Sequence, residues 1–134
     1  MADQEASSLE LRNEQDIVRT RQAVRKLSQA LGFSLVDQTK LVTAASELAR
    51  NTVKHGRGGS VRVESLEQSG RRGVRLAFVD SGPGIPDLAL AMTDGWTSGG
   101  GLGLGLSGAK RLSNEFEISS TPGIGTRVTI TRWK

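Results

Sequence analysis

The chain has 134 residues, 36% apolar and 4% aromatic, with no cysteine and eighteen basic against fourteen acidic groups for a formal net charge of +4. That length suits one domain, 1–134, around a single core of Leu, Val, Ile and Ala, and the absent cysteines exclude disulfide frameworks, thiolate metal sites and cysteine nucleophiles. Nucleic acid is not an expected partner, because the basic residues are scattered without interleaved aromatics; nor is a membrane, because no apolar run approaches ~20 residues and MADQEASSLE lacks the regions of a signal peptide, so a cytoplasmic location is expected.

Residues 1–12 are polar and aperiodic, as in a frayed terminus or a short edge strand. Asp16 can cap a helix over about 16–31, whose apolar positions Ile17, Val24, Leu27 and Leu31 recur near helical spacing and which Gly32 stops. From Val36, VDQTKLVTAASELARNTVKHG is a stronger helix: Leu41, Ala44, Ala45, Leu48 and Thr52 share one stripe, and His55-Gly56 ends it. At ~100° per residue, Glu47, Asn51 and Lys54 fall on a strip bordering that stripe. SVRVESLE and RRGVRLAFVD read as strands around the turn QSGRR, the second ending on Asp80. SGPGIPD is too rich in Gly and Pro for regular structure, and a short helix is expected around residues 88–92. GWTSGGGLGLGLSG then leads into a helix carrying Leu106, Ala109, Lys110 and Leu112, and FEISS and GTRVTITRW are two strands around TPGIG. This order fits an α+β fold, a two-layer sandwich with helices on one face of a mixed, largely antiparallel sheet.

Three segments carry chemistry. In ELARN, Glu47 and Asn51 sit one helical turn apart; such a pair can hold Mg²⁺ through oxygen while the carboxylate takes a proton from a nucleophile, and it also matches an ordinary solvated i, i+4 pair. In DSGPGIPD, the strand-end carboxylate of Asp80 is an acceptor suited to an exocyclic amine such as adenine N6, and Gly82 and Gly84 let backbone approach a flat ring. The same residue types are common in plain turns. In the glycine stretch, Gly103 to Gly108 matches G-x-G-x-x-G, but no strand precedes it as a dinucleotide fingerprint requires. A P-loop is excluded, because Ala109 stands where that motif needs lysine. A Gly/Ser linker would not carry Leu102, Leu104 and Leu106 at regular spacing. A lid that covers phosphates with its amides and runs into a helix N-terminus accounts for glycines and leucines together.

In this order, ELARN, DSGPGIPD, GGGLGLGL and GTRVTI resemble the N box, the two glycine boxes and the closing strand motif of the ATP-binding domain shared by DNA gyrase B, Hsp90 chaperones, histidine kinases and MutL repair proteins, the GHKL or Bergerat fold. Within these residues there is no room for the further domains of gyrase, Hsp90 or MutL. The single histidine, His55, reads as a helix cap or surface residue and not as a phosphoacceptor. The chain from about Ile17 to Lys134 is most similar to the stand-alone branch, the anti-sigma-factor serine/threonine kinases. SELARN, DSGPGIPD and TSGGGLGLGLSGAKRLSNEF resemble its stressosome switch kinases, whereas His55-Gly56 is closer to its sporulation anti-sigma factors.

The resemblance implies ATP and Mg²⁺ as cofactors, Glu47 as the base that prepares an acceptor hydroxyl, and Asn51 as Mg²⁺ ligand. It places Asp80 on the adenine amine, Gly82 and Gly84 along the base, and Thr126 in support of Asp80's end of the pocket. Thr97, Ser98, Gly99, Gly100, Gly101, Leu102, Gly103, Leu104 and Gly105 would form the lid. No cation lies between Asp94 and Lys110, so phosphoryl charge falls to amides, Mg²⁺ and a helix N-terminus, with a partner or Lys54 to complete the site. The implied activity is phosphorylation of Ser or Thr on a STAS-domain protein in a bacterial partner-switching stress pathway. The alternative is an anti-sigma factor that sequesters a sigma factor under ATP control. A downstream phosphatase is a further partner the resemblance allows.

Overall fold

The computed structural model describes residues 6–85, 92 and 106–134. Strand β1 (Ala6–Leu11) is followed by helices α1 (Glu14–Ala30) and α2 (Leu35–Lys54), then strands β2 (Gly59–Gln68) and β3 (Arg71–Asp80). Helix α3 (Leu106–Arg111) and strands β4 (Glu115–Thr121) and β5 (Gly125–Trp133) complete the described elements. The expected α+β sandwich is observed, and every described ladder is antiparallel, in the order β1-β2-β3-β5-β4. The expected helix around residues 88–92 lies outside the described residues except for Met92.

Local chemistry explains the boundaries. Helix α1 starts two residues before the expected Asp16, because Asn13 is the cap and accepts the Asp16 N–H at 3.1 Å. Asp16 instead lies buried in the first turn, where its carboxylate accepts the Arg12 N–H at 2.9 Å and the Arg19 guanidinium at 2.6 Å. Ser34 caps α2 by accepting the Asp37 N–H at 3.1 Å. Between β2 and β3, Ser69 (φ 53°) and Gly70 (φ 79°) make the two-residue loop whose positive φ values match strand twist.

Alternation in the strands divides the sheet into two faces. Val61, Val63, Val74, Leu76, Phe78, Val128 and Ile130 pack against Ile17 and Val24 of α1, the apolar stripe of α2, and Leu106 and Ala109 of α3. Leu27, Leu31 and Leu112 are half-buried at its margin. The opposite face carries charge, with Arg62 paired to Glu64 and Arg75 to Glu115, and Arg71 stacked 4.6 Å over the Trp133 ring. Among the described residues no helix is long and apolar enough to cross a membrane.

Arg132 ties the end of β5 to the start of α2. Its guanidinium donates to Asp37 at 2.7 Å and to the Leu112 carbonyl at 2.8 Å. That hydrogen bond from Arg132 holds the Asp37 carboxyl below its usual value of 3.8, and the Arg12 N–H and the Arg19 guanidinium lower that of Asp16. A carboxyl whose pKa is lowered by folding contributes stability that is fully present above the unfolded value and lost as pH falls through the folded one. Thermal melts should therefore hold steady from about pH 7 to about pH 5 and drop below about pH 4. Asp37→Asn should melt lower at neutral pH with a shallower acid slope; a slope parallel to wild type would show that the Arg132 bond does not couple to folding.

Candidate functional site

Helix α2 terminates by folding its own backbone back on itself. The N–H groups of His55 and Gly56 both donate to the Asn51 carbonyl, at 2.9 and 3.0 Å, and Gly58 N–H donates to Thr52 at 2.9 Å. Arg57 (φ 61°) and Gly58 (φ 97°) then turn the chain into β2. The turn brings Gly56 against the end of β3, so closely that a Cβ at position 56 would stand 2.6 Å from Asp80 Cβ and nearer still to its carboxyl carbon. Gly82 packs on Gly56 from the other side, where a Cβ would lie 2.7 Å from the Gly56 carbonyl oxygen.

Leu11, Gly59, Asp80, Thr126 and Ser120 are successive cross-strand partners along one row of the sheet. Asp80, Thr126 and Ser120 therefore project from the same face, at its α2 end. Asp80 Oδ1 accepts the N–H groups of Gly82 at 2.9 Å and Thr126 at 3.2 Å. Oδ2 has no donor among the described residues. The glycine-rich loop after Asp80 is tied to the β4–β5 hairpin, because Gly123 N–H donates to Pro83 at 2.8 Å and Ile85 N–H to Ser120 Oγ at 2.7 Å. Gly84 (φ +77°) runs so close to that hairpin that a Cβ would be 2.6 Å from the Thr121 carbonyl.

These elements line an open pocket whose free space, part of it continuous with solvent, is about 470 Å³. Leu48, Phe78, Ile85, Leu106 and Val128 supply apolar walls, while Asn51, Thr52, His55, Asp80 and Thr126 supply polar groups. Of the residues singled out from sequence, Asn51, Asp80, Gly84 and Thr126 line it together. Gly82 stands behind Asp80, holding its carboxylate. Glu47 lies outside the pocket lining, one turn before Asn51 on α2, half-buried and 3.5 Å from Arg50. Lys54 points instead toward Glu14, at 3.8 Å. Thr97, Ser98, Gly99, Gly100, Gly101, Leu102, Gly103, Leu104 and Gly105 lie outside the described residues.

Sequence reasoning missed Gly56, Ser120 and the pocket position of His55. His55 does occupy the cap position of α2, as expected, and it also lines the pocket. HG at a helix end reads as a stop, and Ser120 sits in an unremarkable strand. Their importance comes from register and close approach, which leave no mark in the local pattern.

An apolar slot closed at one end by an acceptor-only carboxylate has the chemistry of a site for a flat ring bearing an amine. The family model for "Histidine kinase-, DNA gyrase B-, and HSP90-like ATPase" matches residues 36–134, and the chain belongs to this family. It is 42% identical to the serine/threonine-protein kinase RsbT of Bacillus subtilis (strain 168), across 95% of this chain and 96% of that protein. It is 27% identical to the anti-sigma F factor of Thermoanaerobacter sp. (strain X514), across 84% of this chain and 82% of that one. For the anti-sigma F factor of Clostridium novyi (strain NT) the figures are 30% identity, 81% and 79%. The fold is similar, with a TM-score of 0.66 at 20% identity, to a crystal structure of RsbU and RsbW domains from Mycobacterium tuberculosis. That match covers 99% of this chain, which spans a third (33%) of the larger one.

Membership of an ATPase family implies use of ATP, and this makes the close approach of Gly56 to Asp80 testable. Residue 56 needs no positive φ, so the cost of Gly56→Ala is steric crowding against Asp80, which should lower the melting temperature by several degrees without unfolding the protein. Its methyl group would displace the Asp80 carboxyl, so ATP affinity measured by calorimetry should fall about tenfold or more. Unchanged affinity would mean that the carboxylate position is not set by this contact.

Proposed function

We propose that this protein is a cytoplasmic, Mg·ATP-dependent serine/threonine kinase that phosphorylates a STAS-domain regulatory protein in a bacterial partner-switching pathway. The observation that carries this reading is the convergence of Asp80, Thr126 and Asn51 on one apolar pocket, in a chain 42% identical to a serine/threonine kinase over nearly its whole length.

The residues present fit the nucleotide. Asp80 Oδ2 is an acceptor with no protein donor among the described residues, held in place by two amides on Oδ1, and it receives the adenine amine. Phe78, Ile85, Leu106 and Val128 exclude water from the ring faces. Mg²⁺ fits more sparingly. Among the described residues no three acidic or histidine side chains form a cluster, and Asn51 offers one amide oxygen. One or two protein oxygens plus phosphates suffice for this ion, which when bound neutralises charge on the transferred phosphoryl group.

Glu47 is the base. Helix geometry sets it on the same side of α2 as Asn51, one turn nearer the helix N-terminus, and its side chain is partly exposed, where a protein substrate can reach it. Its contact with Arg50 is long and partly exposed, so an acceptor hydroxyl competes for the carboxylate at little cost. By the family resemblance, Thr97 to Gly105 would supply backbone amides to the phosphates. A second reading, an anti-sigma factor that holds a sigma factor under ATP control, is favoured by the relatives named anti-sigma F factor.

Incubation with labelled ATP, Mg²⁺ and a STAS-domain protein should label that protein on Ser or Thr; label absent under every nucleotide and partner condition would overturn the kinase reading. Glu47→Gln should abolish transfer while ATP binding stays within about twofold, and surviving transfer would remove Glu47 as base. Asp80→Ala should weaken ATP by roughly ten- to a hundredfold, from the ~1.5 to 3 kcal/mol of a charge-assisted hydrogen bond. Capture of a sigma factor with ATP, without any transfer to a STAS protein, would favour the second reading.

A further inference from the structure

Resting on the adenine-pocket reading above, we infer that Ser120 is a positioning residue that aims the hydroxyl proton of Thr126 into the pocket and thereby makes the pocket select adenine over guanine. Three hydrogen-bonding facts lead there. Ser120 Oγ accepts the Ile85 N–H at 2.7 Å, which occupies one of its lone pairs. It lies 2.9 Å from Thr126 Oγ1 and 3.2 Å from the Gly125 carbonyl. The Ser120 hydroxyl has two acceptors in reach for its single proton, the Gly125 carbonyl and Thr126 Oγ1, and we assign the proton to the shorter contact, the one on Thr126.

With its lone pair engaged by Ser120, Thr126 keeps its own proton, and no other partner for Thr126 Oγ1 exists among the described residues. Thr126 lines the pocket, so that proton is offered to the ligand. The chain of donors runs Ile85 N–H to Ser120 O–H to Thr126 O–H, each bond polarising the next. Beside it, Asp80 presents an acceptor. Acceptor next to donor is the complement of the adenine edge, an amine beside an acceptor nitrogen. Guanine presents the reverse, a carbonyl beside an N–H, and meets two mismatches. Without Ser120 the Thr126 hydroxyl rotates freely and accepts as readily as it donates.

The test compares ATP with its 1-deaza analogue, which lacks the ring nitrogen that would accept from Thr126, by calorimetric binding to the full chain. Ser120→Ala should weaken ATP about three- to tenfold and leave the 1-deaza nucleotide unchanged. It should also narrow the ATP-to-GTP preference. Ser120→Thr, which keeps the hydroxyl, should restore both values. Thr126→Val should weaken ATP as Ser120→Ala does, and the double variant should lose no more than either alone. Equal loss of ATP and 1-deaza-ATP in Ser120→Ala would reduce Ser120 to an anchor for the Ile85 loop and overturn the inference, as would no loss of ATP. Wild-type protein that binds no ATP would overturn the pocket reading itself, and the inference with it.

Discussion

Everything at the site depends on the register of β3 against β5. Asp80 and Thr126 are direct partners in that ladder, and Ser120 faces Thr126 in the next one. A slip of one residue would carry the moved strand's side chains to the charged outer face and put Val79 or Arg127 where the pocket needs its polar end. The register is held from both sides of the sheet. Phe78 and Leu76 must stay in the core opposite Val128 and Ile130, and Gly73 must stay under the Trp133 ring, where a Cβ would come within 2.6 Å. Core packing thus serves as the alignment device for the chemistry.

The carboxylate of Asp80 illustrates how a half-buried group is held in place and still available. Its two oxygens have different tasks: Oδ1 is occupied by backbone amides from two different segments, and Oδ2 is left open. Backbone donors cost no side-chain entropy. Gly56 and Gly82 contribute by what they lack, since any side chain at either would fill the space in which the carboxyl and the loop meet. On α2, the division of labour is angular. One stripe is buried, and the adjoining strip holds Glu47 and Asn51 at a spacing set by the helix and not by any loop.

Much of the architecture was legible in the sequence because its signals are local. The stripe from Leu41 to Thr52 predicts a helix whose buried face is the observed one, and RRGVRLAFVD and GTRVTITRW coincide with β3 and β5. The start of α1 was misplaced for a physical reason. Asn13 and Asp16 are both good caps three residues apart, and burial of Asp16 against Arg12 and Arg19 decides between them. Asn51, Asp80, Gly84 and Thr126 could be named in advance because each belongs to a motif. Gly56 and Ser120 could not, since their roles arise where segments separated by tens of residues touch. Thr97 to Gly105 were legible as a lid from leucine spacing and from their order after ELARN and DSGPGIPD, and they fall outside the described residues.

The strand order has a consequence for synthesis. β5, the last described strand to be made, is also an interior strand, inserted between β3 and β4. It carries Thr126 and Val128 and one of the two amides that hold Asp80. A nascent chain that has made every other described element therefore has β4 cut off from β1-β2-β3 and a pocket without one of its walls. Any ligand of this pocket is in effect a completion signal: it depends on contacts of long sequence separation, which form slowly, and adds its stabilisation to the finished fold alone.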